Sequence, residues 1–179
     1  MDVNSDLIEI SKRLRHLNDY TYVLAKYVDR DFWINNITKY FNDMYIENFT
    51  DYNDSTCFTY IINIGGGDVQ VGSKEFNNYL EIHQVLYRLQ IQISIISPYL
   101  TYKFIKYTYK DKNVKMEWNE IPYLKEHSRL LDFIKEFAQN SDLNILYSKD
   151  LAKIVEGIEL EGKKENVTVF NCLFEDSYI

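Results

Sequence analysis

The sequence predicts an α+β fold, with a central, mostly antiparallel sheet, an N-terminal helical hairpin and further helices packed on the sheet. Three observations lead there. Apolar residues recur at helical spacing near the N terminus and again after residue 122. Runs of β-formers lie between, with turn signals at residues 65–68 and 111–112 that fold neighbouring strands back on each other. The chain has 179 residues of which 46% are hydrophobic, enough for one core without metal or disulfide staples, so residues 1–179 read as a single domain.

Leu7, Ile10, Leu14, Leu17, Leu24 and Val28 give residues 6–27 an amphipathic helix, with Lys12, Arg13 and Arg15 on its other faces. Asp29, Arg30 and Asp31 supply a cap for a second helix, whose stripe is Trp33, Ile37, Tyr40, Phe41 and Met44 and whose end falls near Glu47. So tight a connection predicts a helical hairpin. Residues 43–55 then lose periodicity and read as an acidic, tyrosine-bearing surface loop.

Residues 56–64 read as a strand, turned by Gly65-Gly66-Gly67-Asp68 into the short run 69–71 to make a hairpin. Ser73 caps a third helix, with Phe76, Tyr79, Leu80, His83, Leu86 and Tyr87 on one side and a stop near Leu89. Residues 90–97 read as a buried central strand closed by Ser97-Pro98.

The next hairpin is legible in register. Pairing 99–110 with 113–118 around Asp111-Lys112 sets Ile105 opposite Trp118, Tyr107 opposite Met116 and Tyr109 opposite Val114, with Lys106 opposite Glu117 on the other face. That shared apolar set predicts a buried Trp118. Upstream the apolar set is Leu100, Tyr102 and Phe104, a change of phase that a β-bulge near Phe104-Ile105 would produce.

Pro122 opens a helix reaching about residue 139, its buried stripe Leu124, His127, Leu131, Ile134 and Ala138. Residues 143–147 read as a strand, 148–155 as a short helix with Gly157 at its C′ position, 159–165 as a charged connection, and 167–174 as a last strand covered on both faces.

Charge and composition narrow the function. The 27 acidic and 20 basic side chains leave a net charge of -7, which argues against nucleic acid and anionic membranes as partners. The acidic, polar start Met1-Asp2-Val3 lacks a secretory pattern, and the apolar stretch 91–105 is broken by polar residues, so a cytoplasmic location and no membrane span are expected. Cys57 and Cys172 then read as buried, reduced thiols, and the three Asn-x-Thr sequons at Asn36, Asn48 and Asn166 as chance matches.

Residues suited to chemistry are sparse. The glycine run lacks the Lys-Ser/Thr of a phosphate loop and the spacing of a dinucleotide fingerprint, which leaves a turn, with a small anion nest as the other reading. His83 and His127 fall on apolar helix faces, where a hydrogen-bonded core or boundary histidine is expected, and His16 beside a basic run. Neither the histidines nor the cysteines have metal-ligand spacing, and no serine sits in a nucleophile elbow, so no metal and no cofactor are expected. Lys103, Lys106, Lys110, Lys112 and Lys115 beside Tyr102, Tyr107 and Tyr109 have the composition of a single-strand nucleic-acid platform, but the register sends Tyr107 and Tyr109 to the face of Trp118.

What stands out is 16 tyrosines among many acids, a pairing that suits a protein interface even though AT-rich coding also raises tyrosine. Residues 43–54 and the tail put carboxylates beside aromatics, which makes Asp51, Tyr52, Asp54, Glu175, Asp176 and Tyr178 the candidate contacts for a basic protein partner. Residues 130–138 (LLDFIKEFA), 143–151 (LNILYSKDL) and 167–176 (VTVFNCLFED) together resemble the small bacterial immunity proteins that accompany secreted polymorphic toxins. That resemblance covers the last third of the chain and implies a cytoplasmic, non-catalytic inhibitor that binds a cognate toxin. The alternative is an enzyme on small molecules using His83 or His127 beside a carboxylate.

Overall fold

Runs of β-branched and aromatic residues build one six-stranded sheet. The computed structural model describes residues 3–17, 31–51, 56–160 and 163–174. Strands β1 (Ile46–Asn48), β2 (Cys57–Ile64), β3 (Val85–Ser94), β4 (Tyr99–Lys110) and β5 (Asn113–Asn119) lie side by side in that order, each antiparallel to its neighbours. A short β6 (Asn144–Ile145) runs parallel to the start of β4. The helices are α1 (Val3–Leu17), α2 (Phe32–Tyr40), α3 (Lys74–His83), α4 (Arg129–Asn140), α5 (Ser148–Leu151) and α6 (Val169–Leu173), with a 3-10 turn at Lys125–His127. This is the predicted α+β class.

Strands β2, β3 and β4 are covered on both faces. On one, Tyr60 and Ile62 of β2, Leu89, Ile91 and Ile93 of β3 and Leu100, Tyr102 and Phe104 of β4 pack against Trp33 and Ile37 of α2 and Leu130, Ile134 and Phe137 of α4. The opposite face is divided. Phe76 and Leu80 of α3 cover Leu86, Ile105 and Tyr107 at one end, while Leu7 and Leu14 of α1 join Cys57, Val169, Cys172 and Leu173 at the other. Helices α1 and α2 thus serve different cores, and the connection predicted to fold them into a hairpin, 18–30, lies outside the described residues, as does the second half of the predicted first helix.

Several elements differ from expectation. The second helix ends at Tyr40, and Ile46–Asn48, predicted within a helix end and loop, pairs with residues 60–62 of β2, because an open sheet edge offers backbone partners there. The predicted hairpin at 65–71 does not form. Asn63 Nδ2 donates to the Gly67 carbonyl at 2.7 Å and draws the segment back over the sheet, so β2 pairs with β3. Ser73 caps α3 as expected, accepting the Phe76 N–H at 3.0 Å, but the helix stops at His83, where Gln84 turns left-handed with φ 63°. Leu86 and Tyr87, which prolong a helical stripe in the sequence, instead face opposite sides of β3.

No bulge interrupts β4, whose register with β3 is continuous from Leu100 to Thr108. The change of phase arises because both faces are buried: Tyr102 and Phe104 enter one core, Ile105 and Tyr107 the other. The predicted helix after Pro122 is a 3-10 turn followed by α4, with Leu130, Ile134, Phe137 and Ala138 buried and His127 outside the α-helix. The strand at 143–147 shrinks to β6, and α5 ends at Leu151, so Gly157 (φ 79°) sits in a later turn. The last strand is a helix. Thr168 and Asn171 form a reciprocal capping box, and Val169, Cys172 and Leu173 are buried at helical spacing.

Candidate protein-binding surface

Two positive-φ residues, Asp111 (φ 53°) and Lys112 (φ 63°), close the β4–β5 hairpin in the two-residue turn whose twist matches its strands. The register is the predicted one, Ile105 opposite Trp118, Tyr107 opposite Met116 and Tyr109 opposite Val114. Lys106 Nζ donates to Glu117 Oε1 at 2.9 Å across the pair, which raises the lysine's pKa and lowers the carboxylate's. Tyr109 Oη donates to Glu81 Oε1 at 3.1 Å and ties the hairpin to α3.

The burial of Trp118 is not as predicted. Its relative exposure is 53%, beside Met116 at 57% and Val114 at 41%. The partners on β4, Ile105 and Tyr107, are buried because α3 lies over them, and β5 stands past the reach of that helix. Hence Val114, Met116 and Trp118 form an exposed apolar stripe on the outermost strand.

Beside Trp118 opens a cleft of about 360 Å³. Its origin is a gap in the pairing of β4: β5 covers Phe104 to Lys110 and β6 covers Tyr99 and Leu100, leaving residues 101–103 between them. Thr101, Lys103 and Gln92 line it from the sheet, and Ser148, Leu151, Ala152, Thr168 and Phe170 from the C-terminal segment. The far wall is fixed by hydrogen bonds: the Glu120 carboxylate accepts the Ser148 N–H, and Asn171 Oδ1 accepts from the Thr168 N–H at 3.0 Å and from Lys163 Nζ at 2.7 Å. At the floor Gln92 Nε2 lies 3.5 Å from Cys57 Sγ. The lining combines apolar surface with an amide and hydroxyls, and Lys103 is the one charged residue among the described residues that line it. It suits recognition of a side chain or an extended segment.

Of the six predicted contacts, Asp51 is exposed just beyond β1. Tyr52, Asp54, Glu175, Asp176 and Tyr178 lie outside the described residues. Of the histidines, His83 departs from its predicted setting, whereas His127 keeps a partly buried, boundary position. His83 is exposed and stacks on Tyr79 with ring centroids 4.2 Å apart, and the His127 ring meets Tyr87 edge-on, its Nε2 3.8 Å from the exposed Glu126 carboxylate. The side chain of His16 lies outside the description. In the lysine-rich hairpin, Tyr102 and Tyr107 are buried and present no stacking surface. Both cysteines are buried, Cys172 in a helix, and burial pushes its thiol up to about 11. Among the described residues no group of histidine, cysteine or acidic side chains is placed to hold a metal, and no helix is long and apolar enough to cross a membrane.

Sequence reasoning missed the stripe and the cleft. No local signal marked the stripe, because the exposure of β5 depends on how far α3 reaches across the sheet. No family model matches the chain, and neither the curated proteins nor the solved structures include a match.

Proposed function

We propose that this chain is a non-catalytic protein-binding domain that inhibits a cognate toxin, the role implied by its resemblance to immunity proteins. One observation carries the binding part of this reading. Trp118, a side-chain type favoured at binding hot spots, stands more than half exposed at the mouth of an apolar cleft. Exposed aromatic surface of that kind costs solubility unless a partner uses it.

Charge supplies the long-range part. A net charge of -7, to which the exposed Asp51 contributes, steers a basic partner toward the domain, and the aromatic anchor slows its departure. Among the described residues that line the cleft there is no histidine and no carboxylate, so this lining lends the enzymatic alternative no support.

Protection tests the reading. The reading expects a toxin encoded by the neighbouring gene: a host expressing that gene should be arrested and should grow when the wild-type chain is co-expressed, and Trp118→Asp should abolish growth while remaining folded. The double variant His83→Gln, His127→Gln should protect as well as the wild type. Absence of protection by the wild type would sink the inhibitory role, and a folded double histidine variant that no longer protects would favour chemistry instead.

A further inference from the structure

The free edge of β5 has a sequence that complements itself. In a two-residue hairpin the residues flanking the turn, Lys110 and Asn113, form a hydrogen-bonded pair, and such pairs recur at every second position. Asn113, Lys115, Glu117 and Asn119 therefore point their backbone groups at β4. Val114, Met116 and Trp118 point theirs outward, and among the described residues no hydrogen bond outside the strand ladders reaches them. The strand carries neither proline nor bulge, so its edge is unprotected by backbone devices.

We propose that a second copy of this chain covers this edge, the two β5 strands pairing antiparallel about a two-fold axis through Met116. The register follows from the order Asn113-Val114-Lys115-Met116-Glu117-Trp118-Asn119. Centring on Met116 sets Lys115 opposite the second copy's Glu117 and Glu117 opposite the second copy's Lys115. On the other face Val114 meets the second copy's Trp118, and Met116 meets its counterpart. Moving the axis to residue 115 or 117 would oppose two lysines or two glutamates, and moving it to 114 or 118 would leave the charges unmatched. The outward backbone groups fit the same register: Val114 with Trp118, Met116 with Met116 and Trp118 with Val114 become the hydrogen-bonded pairs.

Glu117 is prepared for this contact. Its Oε1 takes Lys106 of its own hairpin at 2.9 Å, and a carboxylate has acceptor sites left for a second lysine. Lys115 and Glu117 thus repel foreign strands of unmatched charge while admitting a second copy. The pairing would extend the sheet continuously through both copies. This surface is separate from the cleft that the proposed toxin inhibition uses, apart from Trp118, whose backbone pairs outward while its ring borders the cleft.

Sedimentation velocity of the full chain from micromolar to millimolar concentration tests the proposal. The wild type should sediment as a dimer that dissociates on dilution. Lys115→Glu and Glu117→Lys, each folded by circular dichroism, should each weaken association about tenfold or more, because the symmetric interface contains each ion pair twice. An equimolar mixture of the two should recover the dimer, since every contact across the axis again joins opposite charges. Met116→Pro deletes an N–H that the monomer leaves unused and should also give monomers, so it decides the matter if Glu117→Lys, which loses Lys106, does not fold. A wild type monomeric at every concentration, or a dimer unchanged by Lys115→Glu and by Met116→Pro, would overturn the proposal. Protection by a monomeric Lys115→Glu variant would leave the inhibitory reading standing on its own.

Discussion

Arg88 and Glu47, on strands two apart in the sheet, face each other 3.8 Å apart between the sheet and the loop that precedes α3. The arginine is fully buried, with its guanidinium 5.6 Å from the ring centre of Phe76 and 5.9 Å from that of Tyr107. Its Nη2 donates to the Val69 carbonyl, which Asn63 Nδ2 also approaches at 3.5 Å. Burial lowers its pKa, against the opposing influence of Tyr107 and Glu47. This cluster holds the glycine-rich segment down on the sheet. Gly66 shares in it, because a Cβ there would stand 2.5 Å from Leu86 Cδ1.

Breaking one side of a buried pair strands the other charge. Arg88→Met should therefore destabilise the fold by about 3 to 5 kcal/mol. The double variant Arg88→Met, Glu47→Leu should cost less than Arg88→Met alone, since no unpaired charge remains. Urea denaturation with a double-mutant cycle measures both, and additive losses would show that the two side chains act independently.

Trp33 and Trp118 should behave as opposites. Trp33 is fully buried between α4 and the sheet, whereas Trp118 is more than half exposed. Acrylamide should quench one tryptophan population readily, and Trp118→Phe should remove it. Trp118→Ala should cost about 1 kcal/mol or less, against about 3 to 5 kcal/mol for Trp33→Ala. A loss at Trp118 as large as that at Trp33 would mean that the stripe is covered in the isolated chain.

The contrast between those tryptophans shows what a sequence carries and what it withholds. The β4–β5 register was readable because alternation has a period of two and the loop has an even length, so every cross-strand partner follows from one pairing. Period, however, says only which residues share a face. Whether Trp118 is buried depends on how far α3 reaches across the sheet, a tertiary fact. The same gap explains β4, where burial on both faces imitates a bulge, and α3, where Leu86 continues a helical stripe although Gln84 has already turned the chain. At 167–174 a run of mixed apolar residues reads as a strand, and the overlooked local signal was the spacing Thr168-x-x-Asn171, which caps a helix. Of the candidate contacts, Asp51 lies on the exposed surface. The cleft lay beyond reach, because residues 92, 101, 118, 148 and 168 meet only once β5 and β6 leave part of β4 uncovered.

The hairpin turn has room for improvement. Asp and Lys occupy both positive-φ positions of Asp111-Lys112, and lysine gains nothing there to offset the crowding of its Cβ. Lys112→Gly restores the Asp-Gly pair that such turns favour and should stabilise the fold by about 0.5 to 1 kcal/mol in thermal or urea unfolding. Lys112→Val, adding β-branching at positive φ, should destabilise it. Equal stability for the three side chains would show that the turn relaxes away from the left-handed region.

Alkaline pH should unfold the domain through groups that burial keeps neutral. Burial, with smaller contributions from Tyr147 and Glu120, pushes the Tyr102 phenol up from 10.0 to about 12, and burial pushes the Cys172 thiol up from 9.0 to about 11. In both cases the folded state holds its proton more tightly than the unfolded state. Stability from each group is therefore complete below its unfolded pKa and declines as pH rises through its folded value. The window opens near pH 9 with Cys172 and extends to about pH 12 with Tyr102. Each group accounts for about 2 to 3 kcal/mol across its window, by the proportion of about 1.4 kcal/mol per unit. Tyr102→Phe and Cys172→Ala should each flatten part of the decline: the cysteine variant from about pH 9 to 11, the tyrosine variant from about pH 10 to 12. Urea midpoints measured across that range distinguish them, and a wild-type profile flat from pH 9 to 12 would show that both side chains ionise as freely as in the unfolded chain.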